Sequence, residues 1–230
     1  MLKTLCERRT IMSEFTPIEI STWSAYGQFY YYTEMAPTSY SVTRDIDVTR
    51  LRAAVKARGI KFFPAYLYAV TKVIGGIKEF RIGLNDGILG IWDSLIPAYP
   101  QYHDDDETTS LLWTEVSGSF SDFYSAYLTD RKDHGESHGI LSSKGIPPKN
   151  SYIISCIPWF TFESFSLHNH GIKDYYFPSF EAGAFKHSAD RVFMPLSATV
   201  HHATVDGHTL KRFYDDLDML LASPESWLDK

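Results

Sequence analysis

An apolar run that ends in two histidines most constrains what this chain can fold into. Val192–Val200 has the β-forming composition of a buried strand, and His201 and His202 follow it directly. Asp206 follows four residues after His202, and Gly207 comes directly after it; the glycine permits a tight turn that brings the carboxylate back towards the histidines. The pattern predicts a strand that delivers His202 to the rigid edge of a sheet.

The imidazole of His202 suits proton transfer at that edge. Histidine has an ordinary pKa of about 6.5, so its neutral form accepts a proton near neutrality. Asp206 is placed to orient the site through a hydrogen-bonded ion pair. Taken alone, however, a His-His pair at a strand end is explained equally well by a metal-binding pair or by simple surface polarity.

Strand and helix patterns are interspersed along the rest of the chain. Predicted strands are Ser39–Ile46, Arg81–Leu84, Ile88–Trp92, Ile96–His103, Thr108–Val116, Tyr152–Ile157, Thr161–Leu167 and Val192–Val200. Predicted helices are Trp23–Thr33, Thr49–Arg58, Ala65–Ile77, Phe120–Arg131 and Thr209–Ala222. Because hairpins dominate the middle, we predict an α/β fold of the two-layer α+β sandwich kind, with a mixed β-sheet and helices packed on one side.

The bulk properties of the chain bound its organisation and its partners. We expect one domain over residues 13–230 and an N-terminal extension, 1–12, that is disordered or non-essential; Met12 is an alternative start. The net charge of -6 argues against nucleic acid and anionic membranes as partners, because both require clustered Lys and Arg. No apolar run is long enough to span a bilayer, and two cysteines make no disulfide framework. We expect a reduced, cytoplasmic protein.

Two histidine spacings, His134 with His138 and His168 with His170, are compatible with metal binding. They lie in polar, loop-like sequence without cysteine or an HExxH pattern. The acidic run 104–107 lacks the pattern of a calcium-binding loop and is predicted to be a solvated turn. We therefore expect no metal.

The order HHxxxDG after an apolar strand resembles the motif of the chloramphenicol acetyltransferase family. That motif also occurs in dihydrolipoamide acyltransferase cores and in condensation domains of peptide synthetases, so the wider match decides. Three further segments resemble segments of the same family: Lys61–Pro64, Leu89–Ser94 and Tyr152–Trp159. The resemblance runs in order from Trp23 to Leu221, and it implies the fold of that family.

The resemblance implies acetyl transfer from acetyl-CoA, as co-substrate, to a hydroxyl of chloramphenicol, which is a mechanism of antibiotic resistance. His202 matches the general base and Ser155 the serine that hydrogen-bonds the oxyanion of the tetrahedral intermediate. Asp206 matches a structural aspartate, and an ordinary turn aspartate is the alternative. A satisfied strand serine is the alternative for Ser155.

Further roles follow from the same resemblance. Three residues match positions that contact CoA: Trp159, Lys61 and Phe63. Three tyrosines fall where the family binds its acceptor: Tyr31, Tyr32 and, behind them, Tyr40. The family is a homotrimer with active sites at subunit interfaces, so a homotrimer is expected here.

The sequence departs from the family pattern at three places. Ala25 stands where the family has an arginine that pairs with the motif aspartate; His201, His208 or Arg44 would have to replace it. Glu181 stands where the family has a threonine near the oxyanion, and a carboxylate there is unfavourable unless it is protonated. The acceptor positions 109–111 are less aromatic than in the family. A different hydroxyl acceptor, or a weakly active trimer that binds CoA or the drug, are therefore alternatives.

Overall fold

A computed structural model describes residues 13–116, 118–168 and 174–229. Its strands are β1 Phe15–Pro17, β2 Ser39–Asp47, β3 Ile82–Asn85, β4 Ile88–Trp92, β5 Ile96–His103, β6 Thr108–Trp113, β7 Ser151–Cys156, β8 Ser179–Ala182, β9 Lys186–Ser188 and β10 Arg191–His201. Its α-helices are α1 Tyr26–Tyr30, α2 Thr49–Ala57, α3 Phe62–Gly75, α4 Phe120–His134, α5 Gly207–Ala222 and α6 Glu225–Leu228. No helix in the described ranges is long and apolar enough to cross a membrane. The proposed extension, 1–12, lies outside these ranges.

The main sheet is mixed. Its strand order is β2-β10-β8-β7-β5-β6, and β9 pairs with β10 beside that path. The pairs β5–β7 and β7–β8 are parallel and the others are antiparallel. A separate three-stranded sheet has the order β1-β4-β3, and its β3–β4 hairpin turns at Asp86 and Gly87, which both have positive φ, as the Asn-Asp-Gly sequence predicts.

The helices cover one face of the main sheet. Helix α3 is almost wholly buried and contacts α2, α4 and α5. Phe180 of β8 packs against Phe213 of α5, with ring centroids 4.9 Å apart. The predicted mixed sheet with helices on one side is confirmed.

The other face of the main sheet is polar. Ser155, Glu181 and Ser197 are register partners on adjacent strands, and register partners share a face. Phe180, the neighbour of Glu181, points into the helical core, so these three side chains point away from it.

The segment that crosses the polar face corrects a prediction. Residues 161–168 contain no strand, although Thr161–Leu167 was predicted to be one. The backbone of this segment forms hydrogen bonds with side chains of the sheet instead. The Ser197 hydroxyl donates to the Phe165 carbonyl at 2.7 Å, and the Phe165 N–H donates to the Thr43 hydroxyl at 3.3 Å. The apolar residues alternate in this segment because one of its sides packs onto the sheet face, although its backbone does not join the sheet.

The predicted helix Trp23–Thr33 is also revised. Helix α1 is short and continues as a π-helical turn, Tyr31–Met35. The Ala36 N–H donates to the Tyr31 carbonyl five residues earlier, at 2.8 Å. The sequence patterns missed three short strands, β1, β8 and β9, because three or four residues carry too little periodicity when no hairpin signal such as that beside β3 accompanies them.

Candidate active site

His202 sits directly after the last residue of β10, as predicted, and aromatic rings fix its imidazole. Tyr32 stacks on it with ring centroids 4.0 Å apart and planes 18° apart. Tyr40 meets it edge-on at 5.1 Å. The backbone N–H of His202 donates to the Thr38 carbonyl at 2.9 Å, and its Nδ1 is buried without a hydrogen-bond partner among the described residues. The ring is therefore oriented by stacking, and Nε2 is the nitrogen left for proton transfer.

Asp206 caps the helix that follows. Its Oδ1 accepts the Thr209 N–H at 2.7 Å, and it is the N-cap of α5. That hydrogen bond is the main reason why the pKa of Asp206 is lowered, and the nearby His208 and His202 lower it further. Asp206 is thus an ionised group that fixes the chain behind His202. Helix α5 begins at Gly207, two residues earlier than the sequence indicated.

No Lys or Arg pairs with Asp206 among the described residues. Of the three suggested replacements for the family arginine, Arg44 is wrong, because it pairs with Asp218 at 2.9 Å. Ala25 and Asp206 border one cavity of about 240 Å³, whose wall also contains Lys78. The space that a longer side chain would fill at position 25 is open.

His201 has a structural environment that differs from that of its neighbour. Its Nδ1 accepts the Ala203 N–H at 3.2 Å, and Tyr176 meets its ring edge-on at 5.1 Å. Burial lowers the pKa of His201, and the charge of His202 lowers it further. His201 is therefore kept neutral, and it supports the turn instead of replacing the arginine.

Ser155 and Glu181 lie side by side on β7 and β8. Ser155 is half-buried, and Glu181 is 2% exposed. Neither carboxylate oxygen of Glu181 has a hydrogen-bond partner among the described residues. Burial raises the pKa of Glu181 to about 7, although the nearby Ser179 hydroxyl opposes this shift in part. A substantial fraction of the Glu181 carboxyl is thus neutral near pH 7 and can donate a hydrogen bond.

Strand register separates His202 from Ser155. Ser155 is two strands away from Ser197 across the sheet, and His201 lies four residues further along β10 than Ser197. At ~3.3 Å per residue and ~4.8 Å per strand, the two candidate catalytic residues are roughly 15 Å or more apart. A general base needs hydrogen-bond contact with its proton, so the two side chains of one chain cannot serve the same reacting group.

Of the three residues proposed to contact CoA, Lys61 and Phe63 lie at the start of α3, and Trp159 lies in the segment after β7. Lys61 is exposed at the N-cap position of α3, where the helix dipole favours anions. Phe63 packs edge-on against Tyr99 at 5.7 Å. Trp159 is 66% exposed and contacts Tyr102 at 5.3 Å. An exposed indole and an exposed ammonium at a helix start are surfaces that a nucleotide can cover.

Of the three tyrosines that the family resemblance suggested, two contact His202 directly. Tyr32 and Tyr40 touch His202, whereas Tyr31 touches only Tyr32 among the rings, at 5.0 Å. Gln28 and Thr38 were missed, although the Gln28 amide donates to the His202 carbonyl at 3.4 Å. Nothing in the local sequence marks either residue, because each contacts a histidine that is more than 160 positions away along the chain.

Comparison with known proteins defines first the class and then the family. The solved structure of a chloramphenicol acetyltransferase matches with a TM-score of 0.82 and 23% identity, over 90% of this chain and 100% of that chain, so the chain has the acetyltransferase fold. Chloramphenicol acetyltransferases of Clostridium butyricum and Clostridium perfringens are 37% and 34% identical, each over 94% of this chain and 98% of theirs.

The family model "Chloramphenicol acetyltransferase" matches residues 13–218. The chain belongs to the chloramphenicol acetyltransferase family, as the sequence motifs indicated.

Proposed function

We propose that this protein transfers the acetyl group of acetyl-CoA to a hydroxyl of chloramphenicol. The observation that carries the proposal is His202, held at the end of β10 by Tyr32 and Tyr40 in a chain that matches its family along nearly its whole length. The names of the relatives support the same donor chemistry and acceptor.

The reaction needs one proton acceptor and one oxyanion donor. His202 Nε2 takes the proton of the acceptor hydroxyl while that oxygen attacks the thioester carbonyl. Ser155 Oγ donates a hydrogen bond to the oxyanion that forms. Collapse breaks the carbon–sulfur bond, the thiolate of CoA leaves, and the imidazolium returns the proton to it. An acyl-enzyme at the adjacent Cys156 is disfavoured, because burial raises the pKa of that thiol to about 11.

Two copies of the chain are needed to build one such site. The separation of roughly 15 Å or more between His202 and Ser155 supports a symmetric assembly in which each base serves the oxyanion serine of a neighbour. Cyclic symmetry repeats that contact at every interface. The homotrimer implied by the family resemblance satisfies this requirement.

Lys61 and Trp159 are proposed to hold CoA. The Lys61 ammonium pairs with a phosphate as a point charge, and Phe63 supports the same region from α3. Tyr32 and Tyr40 line the acceptor side together with Tyr31. The reaction requires acetyl-CoA and uses no metal. We place it in the cytoplasm, because acetyl-CoA is available there and because the Cys156 thiol is free.

A second acceptor class is favoured by one observation. Ser110, at an acceptor position of the family, is buried and bonded to His103 at 2.9 Å. A polar pair therefore stands where the family is more aromatic. A hydroxyl compound without a flat apolar ring would suit this environment.

The test is release of free thiol from acetyl-CoA with chloramphenicol, compared between the natural protein and His202→Ala. Loss of a general base is expected to lower the rate by ~100- to 10,000-fold. His187→Ala, which removes an exposed histidine on β9, is the matched control and keeps full activity. Equal rates in His202→Ala and the natural protein would refute the role of His202. Thiol release only with other alcohols would refute chloramphenicol as the acceptor.

A further inference from the structure

Two histidine rings that are distant in sequence stack at the end of the β5–β6 hairpin. His103 ends β5, and His138 lies in the segment after α4. Their ring centroids are 4.2 Å apart and their planes 24° apart. His103 is only 5% exposed, whereas His138 is exposed. The stack joins a buried imidazole to an exposed one.

The turn of the hairpin adds two carboxylates to this pair. Asp106 Oδ2 accepts a hydrogen bond from His138 Nδ1 at 2.7 Å. Asp105 Oδ2 lies 3.5 Å from His138 Nε2, the other ring nitrogen. His103 Nε2 bonds Ser110 Oγ at 2.9 Å, which leaves Nδ1 of that ring available. One ligand atom each from His103, Asp105 and His138 lie within 4.8 Å of one another.

We propose that His103, Asp105 and His138 bind one divalent transition-metal ion, and Zn²⁺ is the best match. Two imidazoles and a carboxylate are a ligand set that zinc accepts, with a fourth position open to water. Metal–ligand bonds of ~2.0–2.2 Å in a tetrahedron place ligand atoms ~3.4 Å apart. The Asp105–His138 separation of 3.5 Å already matches this value, and the His103 atom, within 4.8 Å of both, would have to approach by at most about 1.4 Å.

Contacts behind the ligands support a metal more than a chance cluster. His138 donates to Asp106 from the nitrogen opposite to the proposed ligand atom, which is how outer carboxylates orient metal-bound histidines. Asp106 also accepts the Thr108 hydroxyl at 2.6 Å, which fixes its carboxylate in place. Ser110 Oγ plays the corresponding role for His103.

The proposed ion would fasten one surface segment to the sheet. Residues 135–146 meet the hairpin at three places: two backbone hydrogen bonds at Leu111, the Lys144 ammonium, which donates to the Trp113 carbonyl at 2.9 Å, and the bond from His138 to Asp106. A metal shared by β5, the hairpin turn and His138 would strengthen the last of these. Ser110 and Thr109 belong to this region, so the ion would border the acceptor side without touching His202.

Zinc chloride is titrated into the EDTA-treated, dialysed protein, with calorimetry and thermal unfolding as readouts. At ~100-fold excess over Kd, the melting temperature is expected to rise by on the order of 5 °C. Cobalt chloride provides a second readout, a visible absorption band of tetrahedral Co²⁺. Magnesium chloride, which prefers oxygen ligands, is expected to leave both unchanged.

Variants of the turn distinguish a site from general negative charge. Asp105→Asn and His138→Ala remove ligands and are expected to abolish the shift. Asp106→Asn is expected to weaken binding by ~10- to 100-fold. Asp104→Asn removes the same charge from an exposed neighbour in the same turn and keeps the affinity. If zinc produces no shift, or if Asp104→Asn weakens binding as much as Asp105→Asn does, the proposal is overturned.

Discussion

The two halves of the proposed active site differ in how the chain brings their residues together. At the His202 end, the base, the turn and the capping Asp206 lie within five consecutive residues, and Thr209 closes the arrangement with one hydrogen bond of 2.7 Å. At the Ser155 end, the important neighbours are Glu181 and Ser197, which belong to strands distant in sequence and meet only through sheet register. Local order fixes the first half, and topology fixes the second.

The polar character of the two halves differs as well. The Asp206 carboxylate is ionised, caps helix α5 and lies near solvent. The Glu181 carboxyl is buried, unpartnered in the described part of the chain and easily protonated. A buried polar group without partners is costly, so the second half stores a penalty that the first half lacks. This penalty makes the Ser155 end the more sensitive one to pH.

The largest expected effect tests whether the halves cooperate between chains. His202→Ala and Ser155→Ala are each expected to be nearly inactive, with losses of ~100-fold or more. If the two variants are unfolded together, refolded and assayed for thiol release, random assembly of a cyclic trimer should restore about a quarter of the natural activity. A quarter of the interfaces then join an intact base to an intact serine.

The control for this experiment is each variant refolded alone, which should stay inactive. Should the mixed sample stay as inactive as the separate variants, the site would lie within one chain, and the distance argument from strand register would be wrong.

A medium effect is expected from Glu181→Gln on stability. In the folded protein the pKa of Glu181 is about 7, against an ordinary 4.5. Below pH 4.5 both folded and unfolded chains hold the proton, so the ionisation of this group contributes no penalty. Between pH 4.5 and 7 the unfolded chain releases it first, and stability falls; above pH 7 the full penalty of about 3 kcal/mol is present.

Urea unfolding from pH 5 to pH 8, at constant protein concentration, measures this. The free energy of unfolding of Glu181→Gln should gain about 2.5 kcal/mol relative to the natural protein across that range, because part of the penalty is already present at pH 5. Glu136→Gln alters an exposed carboxyl and should follow the natural curve. Parallel curves for Glu181→Gln and the natural protein would mean that Glu181 is ionised when folded.

The smallest expected effect concerns the ring that stacks on the base. Tyr32→Leu removes a stacked contact worth about 1 kcal/mol, so kcat is expected to fall by roughly fivefold to tenfold. Tyr26→Leu alters an exposed tyrosine of α1 whose nearest ring is Tyr30, at 6.1 Å, and is expected to leave kcat unchanged. Equal kcat values for the two variants would show that Tyr40 alone orients His202.

The comparison also explains what could be predicted from the sequence. The strand before His202, the turn and the helix after Asp206 were predicted because their signals are local and strong. The adjacency of Ser155 and Glu181 could not be derived from local pattern, since β8 has only four residues and pairs with β7 across more than twenty positions. Resemblance to the family drew attention to Glu181, but only the structure shows that its oxygens lack partners.

The wrong strand over Thr161–Leu167 has a related cause. Period-two alternation reports that one side of a segment is buried, not that its backbone joins a ladder. Here hydroxyls of Thr43 and Ser197 take the place of backbone partners. Local patterns also do not report tertiary contacts. The contact between His103 and His138 could therefore not be predicted from the sequence around either residue.

The π-helical turn Tyr31–Met35 has a consequence for how this site can change over generations. A wide turn is the result of one residue more than a regular helix accommodates, and such turns are frequent at functional sites. Loss of a single codon within it would relax the turn to an ordinary helix and rotate the flanking rings relative to each other by about 100°. Single-codon loss here would therefore redirect the tyrosines around His202 in one step, whereas point substitutions can only alter them one ring at a time.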